Sequence, residues 1–192
     1  MNDIKRIISE SVAVKQRILE DDELLRRIYA FKTMIVDAYR NGAKVLFCGN
    51  GGSAADAQHI AAELSGRFYL DRKPLHAEAL HCNPSYMTSV SNDYGFEYVF
   101  SRAVEAFAKK GDILVGISTS GNSANVLKAC EKAREKGVFI VAMTGNNGGK
   151  MAQMSDLLIN VPSTDTPRIQ EAHIMIGHIV CELVEKELFG NE

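Results

Sequence analysis

The chain has 192 residues, of which 46% are hydrophobic and 24% charged, a length and balance that exclude a disordered or collagen-like polymer and suit one sizeable core. Its formal net charge of -2 leaves no basic surplus for nucleic acid. No apolar run approaches the ~20 residues that span a bilayer, and no N-terminal apolar stretch reads as a leader. The four cysteines, Cys48, Cys82, Cys130 and Cys181, form no Cys-x-x-Cys pair. In apolar surroundings they read as reduced, buried thiols of a cytoplasmic protein.

Residues 3–40 carry helical periodicity: Ile4, Ile7, Ile8, Val12, Ile18 and Leu19, then, after the acidic break Asp21-Asp22, Leu24, Leu25, Ile28, Phe31, Ile35 and Val36. Asn41-Gly42 stops the helix. Val45–Cys48 is a predicted strand, followed by Gly49-Asn-Gly-Gly-Ser53 and an Ala-rich helix. Ala77–Leu80 is a candidate strand. Asp112–Ile117 is a strand leading through Ser118-Thr-Ser-Gly-Asn-Ser-Ala-Asn125 into a helix that ends near Lys136. Phe139–Met143 is a strand before Thr144-Gly-Asn-Asn-Gly-Gly149 and a short helix, and Leu157–Val161 is a last strand. Thr166 as N-cap and Pro167 as first helical residue start a terminal helix from Arg168 to about Leu188. Short apolar strands alternating with helices imply an α/β fold, a parallel sheet covered on both faces as in a flavodoxin-like three-layer sandwich. No linker or composition shift divides the chain, so residues 1–192 read as one domain.

Two loops carry the chemistry. In the first, glycines let backbone N–H groups approach an anion at a helix start. Ser53 and Asp56 have capping-box spacing, with Asp in place of Glu, and a structural role for Asp56 follows. His59 and Glu63, one turn apart on one face, read either as a helix-surface pair or as part of a metal or catalytic site. In the second loop Ser118, Thr119, Ser120 and Ser123 put four hydroxyls within six residues, at the carboxyl end of a strand where α/β sheets bind ligands. N-capping by Ser123 or Asn122 needs only one of them. The spacings of the ATPase-type phosphate loop and of the dinucleotide fingerprint are both absent. On the terminal helix, Gln170, Glu171, His173 and His178 sit among Ile169, Ile174, Ile176, Ile179, Val180 and Leu183; a lone His on such a face is more often a core residue, whereas His178 reads equally as core residue or as functional group.

Taken together, Cys48-Gly-Asn-Gly-Gly-Ser53, Ser91-Asn-Asp-Tyr-Gly-Phe96, Gly116-Ile-Ser-Thr-Ser-Gly-Asn-Ser123 and Arg168-Ile-Gln-Glu-Ala-His173 resemble the sugar isomerase (SIS) domain family over essentially the whole chain, and within it the phosphoheptose isomerases. That resemblance implies zinc, one per subunit, on His59, Glu63, Gln170 and His178. It implies substrate contacts at Asn50, Gly51, Gly52, Ser53, Glu63, Asn92, Asp93, Ser118, Thr119, Ser120, Ser123 and Gln170, with Arg67 a weaker addition. Glu63 would be the catalytic base and His178 the acid of an intramolecular aldose–ketose isomerase acting on sedoheptulose 7-phosphate. Some family members have an acidic residue where Pro167 stands, and Asp165 is not assigned its role. The resemblance also implies a homotetramer, the helical segment 1–40 serving in oligomer packing. Gln170 and His178 lie about 12 Å apart along one straight helix, which points to a bent helix or to sites shared between subunits. If the sites are shared, dilution to monomer abolishes activity. The competing reading is a non-catalytic SIS adaptor that binds the bacterial replication initiator. A sugar-phosphate-sensing module would need a DNA-binding partner domain, for which no residues are left over.

Overall fold

The computed structural model describes residues 1–190. Two helices, α1 (Asn2–Leu19) and α2 (Asp22–Arg40), break at the acidic pair, where the Asp21 carboxylate accepts the Leu24 N–H and caps α2. Then follow β1 (Val45–Gly49), α3 (Gly52–Ser65), β2 (Ala77–Ala79), α4 (Pro84–Tyr94), α5 (Val99–Phe107), β3 (Ile113–Ser118), α6 (Ala124–Glu135), β4 (Phe139–Thr144), β5 (Leu157–Asn160) and α7 (Thr166–Phe189). The short helix after β4 is a 3-10 turn, Gly149–Gln153. Helices α4 and α5 were not anticipated from periodicity, although Asn83 and Pro84 form a regular start: the Asn83 side chain accepts the Tyr86 N–H and Pro84 occupies the first turn.

All five strands are parallel, in the order β2-β1-β3-β4-β5, the flavodoxin-like arrangement whose connections diverge between β1 and β3. Alternate strand residues feed two cores. Val45, Phe47, Ile113, Val115, Ile117, Val141 and Met143 pack against α1, α2, α3 and α7. Leu46, Cys48, Leu114, Ile140 and Ala142 pack against α4, α5 and α6. A sheet buried on both faces needs apolar residues at every position, which is why the strands read as unbroken runs. Among the described residues no helix is long and apolar enough to cross a membrane. Three cysteines are buried as expected, but Cys82 is exposed, because it sits in the turn just beyond the edge strand β2 rather than inside an apolar run.

Helix α7 begins one residue earlier than expected. Asp165 is its N-cap residue, without a side-chain cap bond, and Thr166 and Pro167 fill the first turn. Within α7, His173 is wholly buried and its Nε2 meets the Thr144 carbonyl at 3.0 Å. Burial pushes its pKa from 6.5 down to about 4, only partly offset by that bond. The ring is therefore neutral in the fold, whereas the unfolded chain takes up a proton below 6.5. Stability from this residue is complete above 6.5 and is lost as pH falls toward 4, an effect on the order of 3 kcal/mol. Urea titrations should show wild type losing about that much relative to His173→Leu between pH 7 and pH 4. The Thr144 carbonyl keeps the Val161 N–H as a partner in the variant.

Candidate functional site

Because the sheet is parallel, all its loops with helix starts emerge at one edge. In register, Ser118 stands beside Thr144 and Thr144 beside Asn160, while Gly49 stands beside Ile117. The two loops singled out above therefore flank the point where the connections diverge. Gly51 takes φ 56 as the N-cap of α3, a backbone turn open to glycine. The expected capping box does not form. Helix α3 starts at Gly52, so Ser53 and Asp56 already lie inside it, with no side-chain cap bond. Asp56 instead keeps a buried carboxylate oxygen with no partner, and burial raises its pKa to about 6, against the pull of His59. Asn50 is held by reciprocal amide bonds with Asn125, at 2.8 and 2.9 Å. The sequence argument did not single out Asn125, though it stands in the first turn of α6 directly after the hydroxyl loop.

In that loop the hydroxyls bond one another rather than capping α6. Ser118 Oγ lies 2.9 Å from Ser123 Oγ and 3.5 Å from Ser120 Oγ. Ser123 is the N-cap residue but makes no side-chain cap bond. Three converging hydroxyls at the positive end of a helix form an anion cradle. A cleft of about 280 Å³, lined by Thr119, Ser120, Gly145, Asn146 and Thr166 among others, opens beside it.

The second half of the site comes from the contact between α3 and α7. A Cβ on Gly177 would lie 2.5 Å from Ile60 Cδ1 and 2.7 Å from its Cγ1, so the glycine lets α7 pass close over that side chain. The close contact carries the next residue, His178, to His59: their Nε2 atoms are 3.4 Å apart with rings edge to face. Glu63 Oε1 lies 3.0 Å from His59 Nε2. Donor atoms of His59, Glu63 and His178 all fall within 4.8 Å of one another. Phe68 closes one side, its ring centroid 5.9 Å from that of His178. Two imidazole nitrogens at about 2.0–2.1 Å from one tetrahedral ion are separated by about 3.3–3.4 Å, so the imidazole spacing and the two-nitrogen, one-carboxylate donor set fit a zinc ion. His59 is half exposed, which leaves one side of the trio open to a ligand.

The remaining sequence-derived residues divide. Gln170 stands instead at the loop end of α7, where a Cβ on Gly52 would lie 2.6 Å from its amide, eight residues and about 12 Å along the helix from His178. Ser53 and Ser118 are buried beneath the two loops, and Thr119 and Ser120 line the cleft. Asn92 and Asp93 lie at the exposed end of α4, bonded to each other, and Asp93 lines a separate groove with Tyr98, Arg102 and Lys128. Arg67 and Asp165 are exposed.

Anion-binding loops at the carboxyl edge of a flavodoxin-like sheet, beside a trio of metal-compatible donors, define a class of α/β proteins that handle small anionic ligands. The profile of the SIS domain matches residues 8–145. The chain is 54% identical to the phosphoheptose isomerase of Aneurinibacillus thermoaerophilus over 193 residues, covering 100% of this chain and 98% of that protein. It is 56% identical over 186 residues to the phosphoheptose isomerase of Mycobacterium tuberculosis, covering 97% and 95%. The structure of phosphoheptose isomerase GmhA from Neisseria gonorrhoeae superposes with TM-score 0.91 at 42% identity, covering 96% of this chain and 98% of the other. This chain belongs to the SIS domain family, on its phosphoheptose isomerase branch.

Proposed function

We propose that the chain interconverts sedoheptulose 7-phosphate and D-glycero-D-manno-heptose 7-phosphate, the opening step of activated-heptose synthesis for lipopolysaccharide or another surface glycan, in the cytoplasm. The single observation that carries this reading is the convergence of His59, Glu63 and His178 beside a hydroxyl-lined anion cradle, in a chain more than half identical to phosphoheptose isomerases.

Ketose-to-aldose conversion moves a proton from C1 to C2 through an enediol, which asks for a base at carbon and an acid at oxygen. The Glu63 carboxylate takes the C1 proton while the His178 ring donates one to the C2 oxygen. Glu63, whose carboxyl proton exchanges with solvent while the enediol is bound, then delivers a proton to C2 as His178 recovers one from the C1 hydroxyl, leaving an aldehyde and both side chains as they began. The phosphate sits on Ser118, Ser120 and Ser123 with the Asn50–Ser53 loop opposite, and its binding energy orients C1 and C2 against the trio. His59, Glu63 and His178 are the residues that would hold zinc, with Gln170 as the fourth donor. When bound, the ion would polarise the substrate oxygens as a Lewis acid.

We read the assembly as a homotetramer with sites shared between subunits, a reading that two features support. Ile4, Ile8, Val12 and Leu19 leave an apolar stripe exposed along α1, and Gln170 is displaced from the trio along α7. The convergence of His59, Glu63 and His178 favours the enzyme over the adaptor, since a scaffold gains nothing from polar groups gathered at an apolar interface between helices. The test is turnover of sedoheptulose 7-phosphate before and after chelation. Chelated protein should lose at least about 90% of its rate and recover it with one equivalent of zinc per subunit. Equal rates in both states would remove zinc from the account, and no turnover in either would remove the isomerase.

A further inference from the structure

Glu63 sits in the last turn of α3, where backbone carbonyls lack helical partners and the chain frays unless something holds it. Here a single buried side chain supplies the partners. Arg72 donates to the carbonyl oxygens of Glu63 at 3.0 Å, Leu64 at 2.9 Å and Gly66 at 3.2 Å, and to that of Lys73 at 3.0 Å. Its Nε meets Glu185 of α7 at 2.9 Å, and the two side chains are only 2% and 3% exposed. Glu185 in turn accepts the N–H groups of Phe68, Tyr69 and Leu70 at 3.1, 2.7 and 2.8 Å. Burial alone would raise its pKa, but these three donors and Arg72 outweigh that and hold it below the usual carboxylate value. One ion pair thus ends the helix that bears Glu63, folds segment 66–72 back onto the helix that bears His178, and sets Phe68 against the His178 ring.

We infer that Arg72 and Glu185 are positioning residues for proton transfer: the pair fixes the Glu63 backbone and, through Phe68, the His178 ring, so that acid and base face one substrate. This rests on the isomerase reading of Glu63 and His178. A buried pair kept only for stability is as well replaced by apolar residues, whereas this one spends its donors and acceptors on the backbone around a reactive carboxylate. Displacement of a reacting group by about 1 Å costs about 10²-fold in rate.

The test compares Arg72→Ala and Glu185→Gln with Lys32→Met in the full-length zinc-loaded protein. Lys32 is another buried cation, paired with Glu187 on the same helix α7, but it touches neither α3 nor segment 66–72. Expected is a kcat lower by about 10²-fold in Arg72→Ala and at least tenfold in Glu185→Gln, with KM within about twofold because the phosphate contacts lie at the first turn of α3 and on the Ser118–Ser123 loop, away from the last turn that Arg72 holds. Zinc affinity, read by chelator competition, should fall about tenfold or more in both. Lys32→Met should lower the melting temperature yet keep kcat and zinc affinity within about twofold. If Arg72→Ala does not fold, Glu185→Gln decides, since it keeps shape and two acceptor lone pairs. Folded variants with wild-type kcat and zinc affinity, or an equal loss in Lys32→Met, would overturn the inference. A wild type inactive on sedoheptulose 7-phosphate would count against the isomerase alone, and the zinc competition would then decide the positioning.

Discussion

Glu63→Gln is expected to lower kcat on sedoheptulose 7-phosphate by about 10³–10⁴-fold while the protein stays folded and KM changes little. The amide keeps the size of the carboxylate but cannot accept a proton from carbon, and general base catalysis alone accounts for about 10²–10⁴-fold. The same change weakens a charged donor facing His59 at 3.0 Å, adding to the loss. KM is spared because the phosphate grip belongs to Ser118, Ser120 and Ser123, on a different strand end. The fold is spared because Glu63 is partly exposed and, among the described residues, its carboxylate bonds His59 alone. Steady-state kinetics with circular dichroism as the folding control checks both halves. A variant within tenfold of wild-type turnover would place the base elsewhere.

His178→Ala should be nearly as damaging, and in two separable ways. It removes the proposed acid, worth about 10²-fold or more, and it removes one of three donors gathered within 4.8 Å. Zinc affinity should fall by about 10²-fold or more, since two donors from one helix, His59 and Glu63, leave an ion half-enclosed. His173→Leu, five residues earlier on the same helix, is the contrast: that ring faces the Thr144 carbonyl in the core and its loss should leave zinc binding within about twofold. Metal content by mass spectrometry and chelator competition separates the two histidines. Unchanged zinc in His178→Ala would remove it from the ligand set.

The layer order of the fold was legible because a doubly covered parallel sheet forces apolar residues at successive positions, as in Val45–Cys48 and Phe139–Met143. The hydroxyl loop was legible for a related reason: Ser118, Ser120 and Ser123 are polar groups at the end of a strand otherwise wholly buried, where one cap would have sufficed. Ser53 and Asp56 misled, since their spacing imitates a capping box that the glycine pair Gly51-Gly52 pre-empts by turning the chain two residues earlier. Helix α4 escaped notice because Pro84–Tyr94 mixes polar and aromatic residues without a clean period, despite the start signal at Asn83, and α5 because it is only nine residues long, although Val99, Phe100, Ala103 and Val104 share one face. The meeting of α3 with α7 includes Gly177 lying against Ile60, a contact across more than a hundred residues that no local pattern encodes. Arg72 and Glu185 were invisible for the same reason: a lone arginine in a loop and a lone glutamate on an amphipathic helix each read as solvent-facing until the fold buries them against each other.

The central claim is that Glu63 carries a proton between C1 and C2 of a phosphorylated ketose, and it is tested most directly by turnover in deuterium oxide. Zinc-loaded wild type incubated with sedoheptulose 7-phosphate should yield the aldose with deuterium at C2, seen by NMR as a collapsed H1–H2 coupling, and Glu63→Gln should give neither product nor label above the uncatalysed rate. Full conversion by Glu63→Gln, or label and product absent with wild type, would contradict it.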